Sequence, residues 1–546
     1  MKKFIAPLLV GAALSSAFAA DDLAKEVAAL KAQMAELQGA QAKMNIDALR
    51  AQVTEIKAHD AGDNIKWTVD FRTAYDVVDY KIGAGFVPNM SPTTGSGSYD
   101  MMAAGRGMYV PYGKTKSDNG IWTNKLILGM GAQPADNLVF KGALGVYKTY
   151  GQDNGIQNSM FQDFDWYGTQ KPNDSTIRLR EAYFLYFGDM GDVHYSASFG
   201  RRPSVDGFMT NLRADNENPA SPVGHNINME FDGASFKFDL DKVTGISGMY
   251  IKLCLGRGFS DTTGSYSMSN YGGFNPAYIK TDENGNMDLA GLLMQFYDDG
   301  QYKIMANVFK GWNMMDVNGY NITMTPASMT AGTYTMASKG AGFIDVGDLT
   351  GASLSLQVNG IGNGISDFLD DSIFFASYAV SKTNPNGTAA NTLTMGGMVM
   401  TPAMLAANGF TSQEIANFLG LGMLGSTDNE TGSSFYTGFQ FPGFMEGQRV
   451  GLEYNHGSKY WRSFTYGEDT LAGSKLATRG DAYEIYYILP IVKKNLTAQL
   501  SYIYMDYDYA GSDTFFGQTG NPSGMMGAMP YVTSASNIHA SIRYRY

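Results

Sequence analysis

The feature that most limits what this chain can fold into is the sorting of its connectors by length. From Ile65 onward, segments of about ten residues alternate apolar and polar side chains, which is strand geometry because successive side chains leave opposite faces of a pleat. "IKWTVDFRTAY" sets Ile65, Trp67, Val69 and Phe71 against Lys66, Thr68, Asp70 and Arg72. "LVFKGALGV" puts Leu138, Phe140, Leu144 and Val146 on one face. "TIRLREAYFLYF" sets Ile177, Leu179, Tyr183, Leu185 and Phe187 against Arg178, Arg180, Ala182 and Tyr186, and "LTAQLSYIYMDYDY" repeats the alternation with Leu496, Leu500 and Tyr502 or Tyr504. Short links fall near 132–137, 188–192, 241–248, 298–301, 361–371, 442–448 and 490–495. Long links rich in Gly, Ser and Asn fall near 82–118, 151–175, 203–226, 260–286, 313–347, 383–433, 461–480 and 511–534. Long and short strictly alternate. A soluble sandwich has no reason to sort loops by strand parity, whereas a membrane barrel has short turns on one side and long loops on the other. Eight long and seven short links make fifteen connectors, hence sixteen strands. An even count returns both ends of the barrel to the short-turn side. Fourteen or eighteen strands are the alternatives.

The start of the chain fixes the compartment. "MKKFIAPLLVGAALSSAFAA" has Lys2 and Lys3, an apolar run from Phe4 to Leu14, and small residues at Ala17 and Ala19, the layout of a secretory signal peptide over 1–19. The run is shorter than the ~20 residues of a spanning helix, and no Cys follows the cut to carry a lipid. No later stretch of eighteen apolar residues argues for an inner-membrane helix, although 44% of residues are hydrophobic. The single cysteine, Cys254, excludes a disulfide scaffold and reads as a small apolar strand residue. A net charge of −12 argues against nucleic-acid binding.

Residues 20–60 differ from the rest. Leu23, Val27, Leu30, Met34 and Leu37 follow heptad spacing, the phase breaks over Gly39–Asn45, and Ile46, Leu49, Val53 and Ile56 start a second seam. The expectation is a periplasmic α-helical coiled coil that joins subunits, giving a homo-oligomer such as a trimer, or contacts peptidoglycan. The alternative is an amphipathic helix lying against the rest of the chain. The expected fold of 61–546 is all-β, a transmembrane antiparallel β-barrel of about sixteen strands with long external loops.

The last strand shows which solvent each face meets. In "ASNIHASIRYRY", Ile538, Ala540, Ile542, Tyr544 and Tyr546 alternate with Asn537, His539, Ser541, Arg543 and Arg545. The first set is expected to face lipid, with tyrosines at an aromatic girdle, and the second an aqueous lumen. A terminal aromatic on such a strand resembles the signal read by the barrel insertion machinery in outer-membrane proteins, which implies that role for Tyr546.

Three segments carry a family resemblance: "SASFGRRPSVDGFMTNLRADNENP" at 196–219, "NMEFDGASFKF" at 228–238 and "GLEYNHGSKYW" at 451–461. With them the chain resembles a porin-like outer-membrane family of Gram-negative bacteria that is catalogued mainly as a domain of unknown function. The resemblance covers most of the chain after the signal peptide. The layout of short coiled coil then barrel is also similar to the phosphate-selective porins, although no motif for their selectivity residues is found. The family implies a channel and names no substrate.

No catalytic constellation stands out, and no enzyme activity or cofactor is expected. His59, His194, His225, His456 and His539 are scattered, no G-x-S-x-G occurs, and Cys254 alone cannot attach haem. "GIGNGI" at 360–365 reads as a periplasmic turn. "DENGNMD" at 282–288 starts like a calcium loop but has its glycine at 285 and Leu293 where an acid should close it. The strongest signal is basic: Arg72, Arg178, Arg180, Arg257, Arg543 and Arg545 are read as polar-phase, and Arg201 and Arg202 lie where strand five meets its external loop. A charge facing hydrocarbon near mid-bilayer costs ~2–4 kcal/mol, so these are expected to line the pore. Arg213 joins them if the 203–226 loop folds inward and brings Arg201, Arg202 and Arg213 towards Arg178 and Arg180. Such a ladder would favour anions. The competing reading is that Asp70, Glu181, Glu453 and Glu484 pair with the arginines and stiffen the wall. Glu181 falls out of phase and calls for a bulge. The leading functional expectation is a passive outer-membrane porin for small hydrophilic solutes, weakly anion-selective. The alternatives are a sleeve housing an electron-transfer partner and a structural tether or adhesin.

Overall fold

The computed structural model describes residues 65–546 except 84, 88, 92–97, 101–107, 111–113, 152–169, 204–205, 222, 261, 264–278, 281–285, 318–319, 325–332, 340–342, 390, 410–414, 416–422 and 514–530. The signal peptide of 1–19 and the coiled coil of 20–60 lie outside the described residues.

Sixteen strands close into one antiparallel barrel in sequence order. They are β1 (Lys66–Ile82), β2 (Lys114–Ala135), β3 (Leu138–Thr149), β4 (Arg178–Met190), β5 (Val193–Arg202), β6 (Phe231–Asp239), β7 (Tyr250–Phe259), β8 (Met287–Asp298), β9 (Tyr302–Val317), β10 (Phe343–Asn359), β11 (Ile373–Pro385), β12 (Thr431–Pro442), β13 (Arg449–Gly457), β14 (Gly480–Val492), β15 (Leu496–Tyr507) and β16 (Val532–Arg545). Seven links are short and eight are long, in strict alternation. One of the two tightest, 191–192, places Gly191 at φ 62°, a left-handed conformation that costs glycine little. Closure comes from β1 against β16, with Phe71 opposite Tyr544 and Val77 opposite Ile538. Val69 and Tyr546 add a reciprocal pair of backbone hydrogen bonds at 2.9 and 2.8 Å.

The two faces follow the alternation. Trp67, Phe71, Phe140, Leu354, Leu500, Ile538 and Ile542 are large, apolar and exposed on the outer face. Among the described residues no helix is long and apolar enough to cross a membrane; the strands carry the apolar belt. Cross-strand aromatic pairs reinforce it, with ring centroids 5.4 Å apart for Phe184–Phe199 and 4.9 Å for Phe374–Phe439.

Strand β4 corrects the expected phase. Ala143 pairs with Glu181 and Leu144 with Leu179, so Arg180 is the extra residue of a bulge. Arg180 and Glu181 therefore both sit on the inner side, as Glu181 required, and every later residue of the strand changes face. Tyr183 is buried inside while Phe184 and Tyr186 are exposed outside, the reverse of the simple alternation.

The loops are more ordered than their composition suggests. Pieces of three long links, 89–100, 320–338 and 392–399, pair into a separate six-stranded sheet. Other long links enter the barrel. The third external loop (203–230) and the seventh (458–479) lie against each other inside it, joined at Ile227 and Phe464. Asn228 N donates to Phe464 O at 2.5 Å, and Phe464 N to Asn226 O at 3.0 Å. The expected aqueous lumen is therefore packed where the residues are described. Phe309, Met314, Leu349 and Phe464 form one buried cluster inside the wall, and Phe208, Met209, Phe375 and Leu476 another. Truncating a side chain such as Phe464 to Ala would cost ~3–5 kcal/mol.

The loop-filled lumen as candidate functional site

The third loop is fastened to the wall on several sides. Among its described residues a short helix, α1 (Thr210–Arg213), follows Met209, which has a φ of 78°. On the β9–β12 side, His225 sits between Ser377 Oγ at 2.8 Å and Ser434 Oγ at 2.9 Å. Asn226 and Asn307 exchange side-chain hydrogen bonds at 3.1 and 2.9 Å, and Ser353 Oγ donates to Asn307 at 2.5 Å. Burial pulls the His225 pKa down to about 3, against a smaller upward pull from Asn455. The imidazole is neutral.

On the β14–β16 side the same loop meets charge. Arg213 Nε donates to Glu484 at 2.6 Å and Arg213 Nη2 to the Asp469 carbonyl at 2.9 Å. Arg543 bridges Asp70 on β1 and the Ala214 carbonyl, the latter at 2.7 Å. Arg545 holds the Asp215 carbonyl at 2.6 Å and pairs with its carboxylate. Glu217 pairs with Lys494 in the short turn after β14, so the loop reaches the short-turn end of the barrel.

The seventh loop supplies what sequence reasoning missed. Lys475 is buried between Glu453 of β13 and Glu484 of β14, with Glu468 of its own loop at 3.4 Å. Tyr436 donates to Glu453 at 2.6 Å. Asp469 pairs with Arg72 at 2.6 Å and Lys125 at 3.0 Å. Burial would raise the Asp469 pKa, but these two cations outweigh it and hold the carboxyl well below its ordinary range. Lys171, from the second external loop, donates to the Glu468 carbonyl at 3.1 Å and to that of Thr470. Burial lowers its pKa to about 8, against the pull of Asp469 and Glu468. A signal for this loop was present: Trp461, Phe464, Tyr466, Leu471 and Leu476 are too apolar for a link that only meets water.

The expected pore-lining arginines separate into four groups. Arg72, Arg213, Arg543 and Arg545 lie inside, each engaged as above. Arg178 and Arg180 also lie on the inner side, Arg178 paired with Asp174 at 3.5 Å and Arg180 with Glu230 at 3.2 Å. Arg202 is directed inward beside Phe231 and borders a cavity behind the third loop. Arg201 and Arg257 are placed differently from the expectation. Arg257 shares its phase with Leu253 and Leu255 and pairs outside the barrel with Asp288 at 2.6 Å, while Arg201 pairs with exposed Asp232 at 3.3 Å. Arg201, Asp232, Arg257 and Asp288 lie opposite one another across β5 to β8. The row sits near the strand ends next to the long loops, where a charge on the outer face costs less than at mid-strand. The inward loop also does not gather Arg213 with Arg178 and Arg180; its partner is Glu484 on β14.

Of the suspected calcium loop, 282–285 lie outside the described residues, and Asp288 belongs to the outer ion pair. Among the described residues no group of three or more potential metal ligands gathers.

A family model described as "Protein of unknown function (DUF3373)" matches residues 115–546. A search of curated proteins gave no match. Among solved structures, the chain is similar to the outer membrane channel DcaP of Acinetobacter baumannii, with 12% identity, TM-score 0.37, and 89% of this chain and 99% of that one covered. OmpF of Salmonella typhi gives 10% identity, TM-score 0.40 and coverage of 89% and 99%. An anion-selective porin from Comamonas acidovorans gives 10% identity, TM-score 0.40 and coverage of 88% and 99%.

Proposed function

We propose, for a chain that belongs to the family described as "Protein of unknown function (DUF3373)", that the barrel is an outer-membrane channel for small hydrophilic solutes. Its third and seventh external loops form the constriction. The observation that supports this is the charge carried into the bore: Arg72, Lys125, Arg213, Lys475, Glu453, Glu468, Asp469 and Glu484 all meet there. A wall that needed only stiffening would be held as well by apolar packing, because desolvation offsets most of what buried ion pairs contribute. Sixteen strands also enclose a bore that holds water once side chains or loops withdraw.

In this reading the short turns, the end of β16 and the segment before β1 are periplasmic, and Tyr546 is the residue read by the insertion machinery. Residues 20–60 join copies into a homo-oligomer, a trimer in the simplest case, or contact peptidoglycan. The channel leans towards anions, since Arg202 and Lys252 have no carboxylate partner among the described residues. A sleeve for an electron-transfer partner is disfavoured because two loops of the chain occupy the space a partner would need. The protein acts without a cofactor and catalyses no reaction.

The test is planar-bilayer conductance of the purified full-length protein beside a variant lacking 207–224. Stepwise conductance is expected, larger in the deletion variant, with an anion preference that fades as salt shortens the screening length to ~8 Å or less. A deletion variant that inserts as a folded barrel and carries no current would end the channel reading and leave the tether.

A further inference from the structure

We propose that the cavity behind the third external loop binds a small monocarboxylate with an apolar body, and that Arg202 and Lys252 hold its carboxylate. The inference deepens the channel reading and rests on it only in taking the lumen to be reachable by solutes. The cavity has a volume of about 110 Å³ and lies between the loop and the inner face of β5 to β9. Ile227 from the loop, and Phe231, Leu289 and Phe309 from the wall, make most of its surface apolar.

Two cations interrupt that surface. Lys252 lies directly opposite Lys237 in the β6–β7 register, and like charges facing each other across strands repel. Lys237 is relieved by Asp239 at 2.5 Å. Among the described residues no carboxylate lies within ion-pair distance of Lys252 or Arg202. Arg202 Nε is buried without a hydrogen-bond partner, and so is Ser221 Oγ, which lines the same cavity. Buried donors in this state are satisfied when something they can bond fills the space. An anion meets the charge, and an apolar body meets the remaining walls. A strongly hydrated inorganic anion fits less well, because those walls cannot replace its water.

Cys254, the chain's single cysteine, lines this cavity and reports on it. Benzoate, inorganic phosphate and toluene are titrated calorimetrically into full-length protein in detergent. In parallel, Cys254 is modified by the anionic reagent methanethiosulfonate-ethylsulfonate and by its trimethylammonium counterpart, followed by mass. Benzoate is expected to bind at one site per chain, more tightly than phosphate or toluene, and to slow modification of Cys254. Loss of one charge-assisted contact in Lys252→Met or Arg202→Gln should weaken benzoate by about tenfold or more and lower the ratio of anionic to cationic modification. Benzoate that neither binds nor protects Cys254 in the natural protein overturns the proposal, as does unchanged binding in both variants. Conductance separates this site from the channel itself. A protein that conducts but ignores benzoate loses the site and keeps the channel; one that binds benzoate and never conducts keeps the site and loses the channel.

Discussion

Lys475 carries one ammonium into a space shared by three carboxylates, Glu453, Glu468 and Glu484, which come from a strand, a loop and a second strand. Removing the cation alone leaves carboxylates buried without compensation, so Lys475→Met should destabilise the docked loop by ~3–5 kcal/mol. A lower Tm in detergent is the readout, and adding Glu453→Gln should recover part of it; no recovery would mean that packing, rather than charge, was lost. His225 makes the opposite case, a group held neutral. Its contacts are uncharged, namely Ser377, Ser434 and the rings of Tyr436 and Trp461 at 5.6 and 5.7 Å. With the docked pKa at about 3 and an ordinary value of 6.5, the released loop binds a proton that the docked loop does not between those limits. Docking is therefore fully stable above pH 6.5 and weakens as pH falls towards 3. Conductance should rise from pH 7.5 to pH 4.5 in the natural protein and lose that rise in His225→Gln. An identical response in the variant would place the titration elsewhere.

Strand faces are where the sequence was most legible, and β16 allows the sharpest test at this scale. Ile538 faces lipid near the middle of its strand, while its neighbour His539 points inward to Asp76 at 2.8 Å. Ile538→Arg should lower the folded fraction by ~2–4 kcal/mol, and His539→Arg, beside a carboxylate, should assemble far better. Equal yields on heat-modifiable gels would mean the faces are misassigned. Period-two alternation and loop parity were enough to count sixteen strands, since both come from the chain's own geometry in a bilayer. The phase of β4 after Arg180 was not legible, because a bulge adds one residue without a local mark; only the misfit of Glu181 hinted at it. Arg201 and Arg257 face outward against expectation because charge alone does not give depth, and the end of a strand tolerates an outward charge better than its middle. The sequence allows 203–226 an inward path without requiring it, and it does not mark the partner of Arg213, since Glu484 lies 271 positions away. The sequence marks 461–480 only as a long link, although its aromatic residues point to a second descent into the barrel.

Across the whole molecule, ion pairing decides which cations can act on a passing solute. Arg178 and Arg180 are already engaged by Asp174 and Glu230, so Arg178→Ala/Arg180→Ala should lower stability and leave the reversal potential in a salt gradient near that of the natural protein. Lys252→Met should move it towards cations. The reverse ranking would return selectivity to the β4 arginines. The seam between β1 and β16 carries a consequence of another kind. Asp70 and Arg543 meet across 473 positions of chain, and bringing ends that far apart together costs roughly 5 kcal/mol of polymer-ring entropy by the (3/2)RT ln n rule. The cost is modest but indivisible: fifteen strands leave two raw edges, each a template for a neighbour's backbone. Folding such a ring is therefore a race between two encounters for the same unpaired edge, the chain's own far end or another molecule's. Dilution favours the first, because only the second depends on concentration.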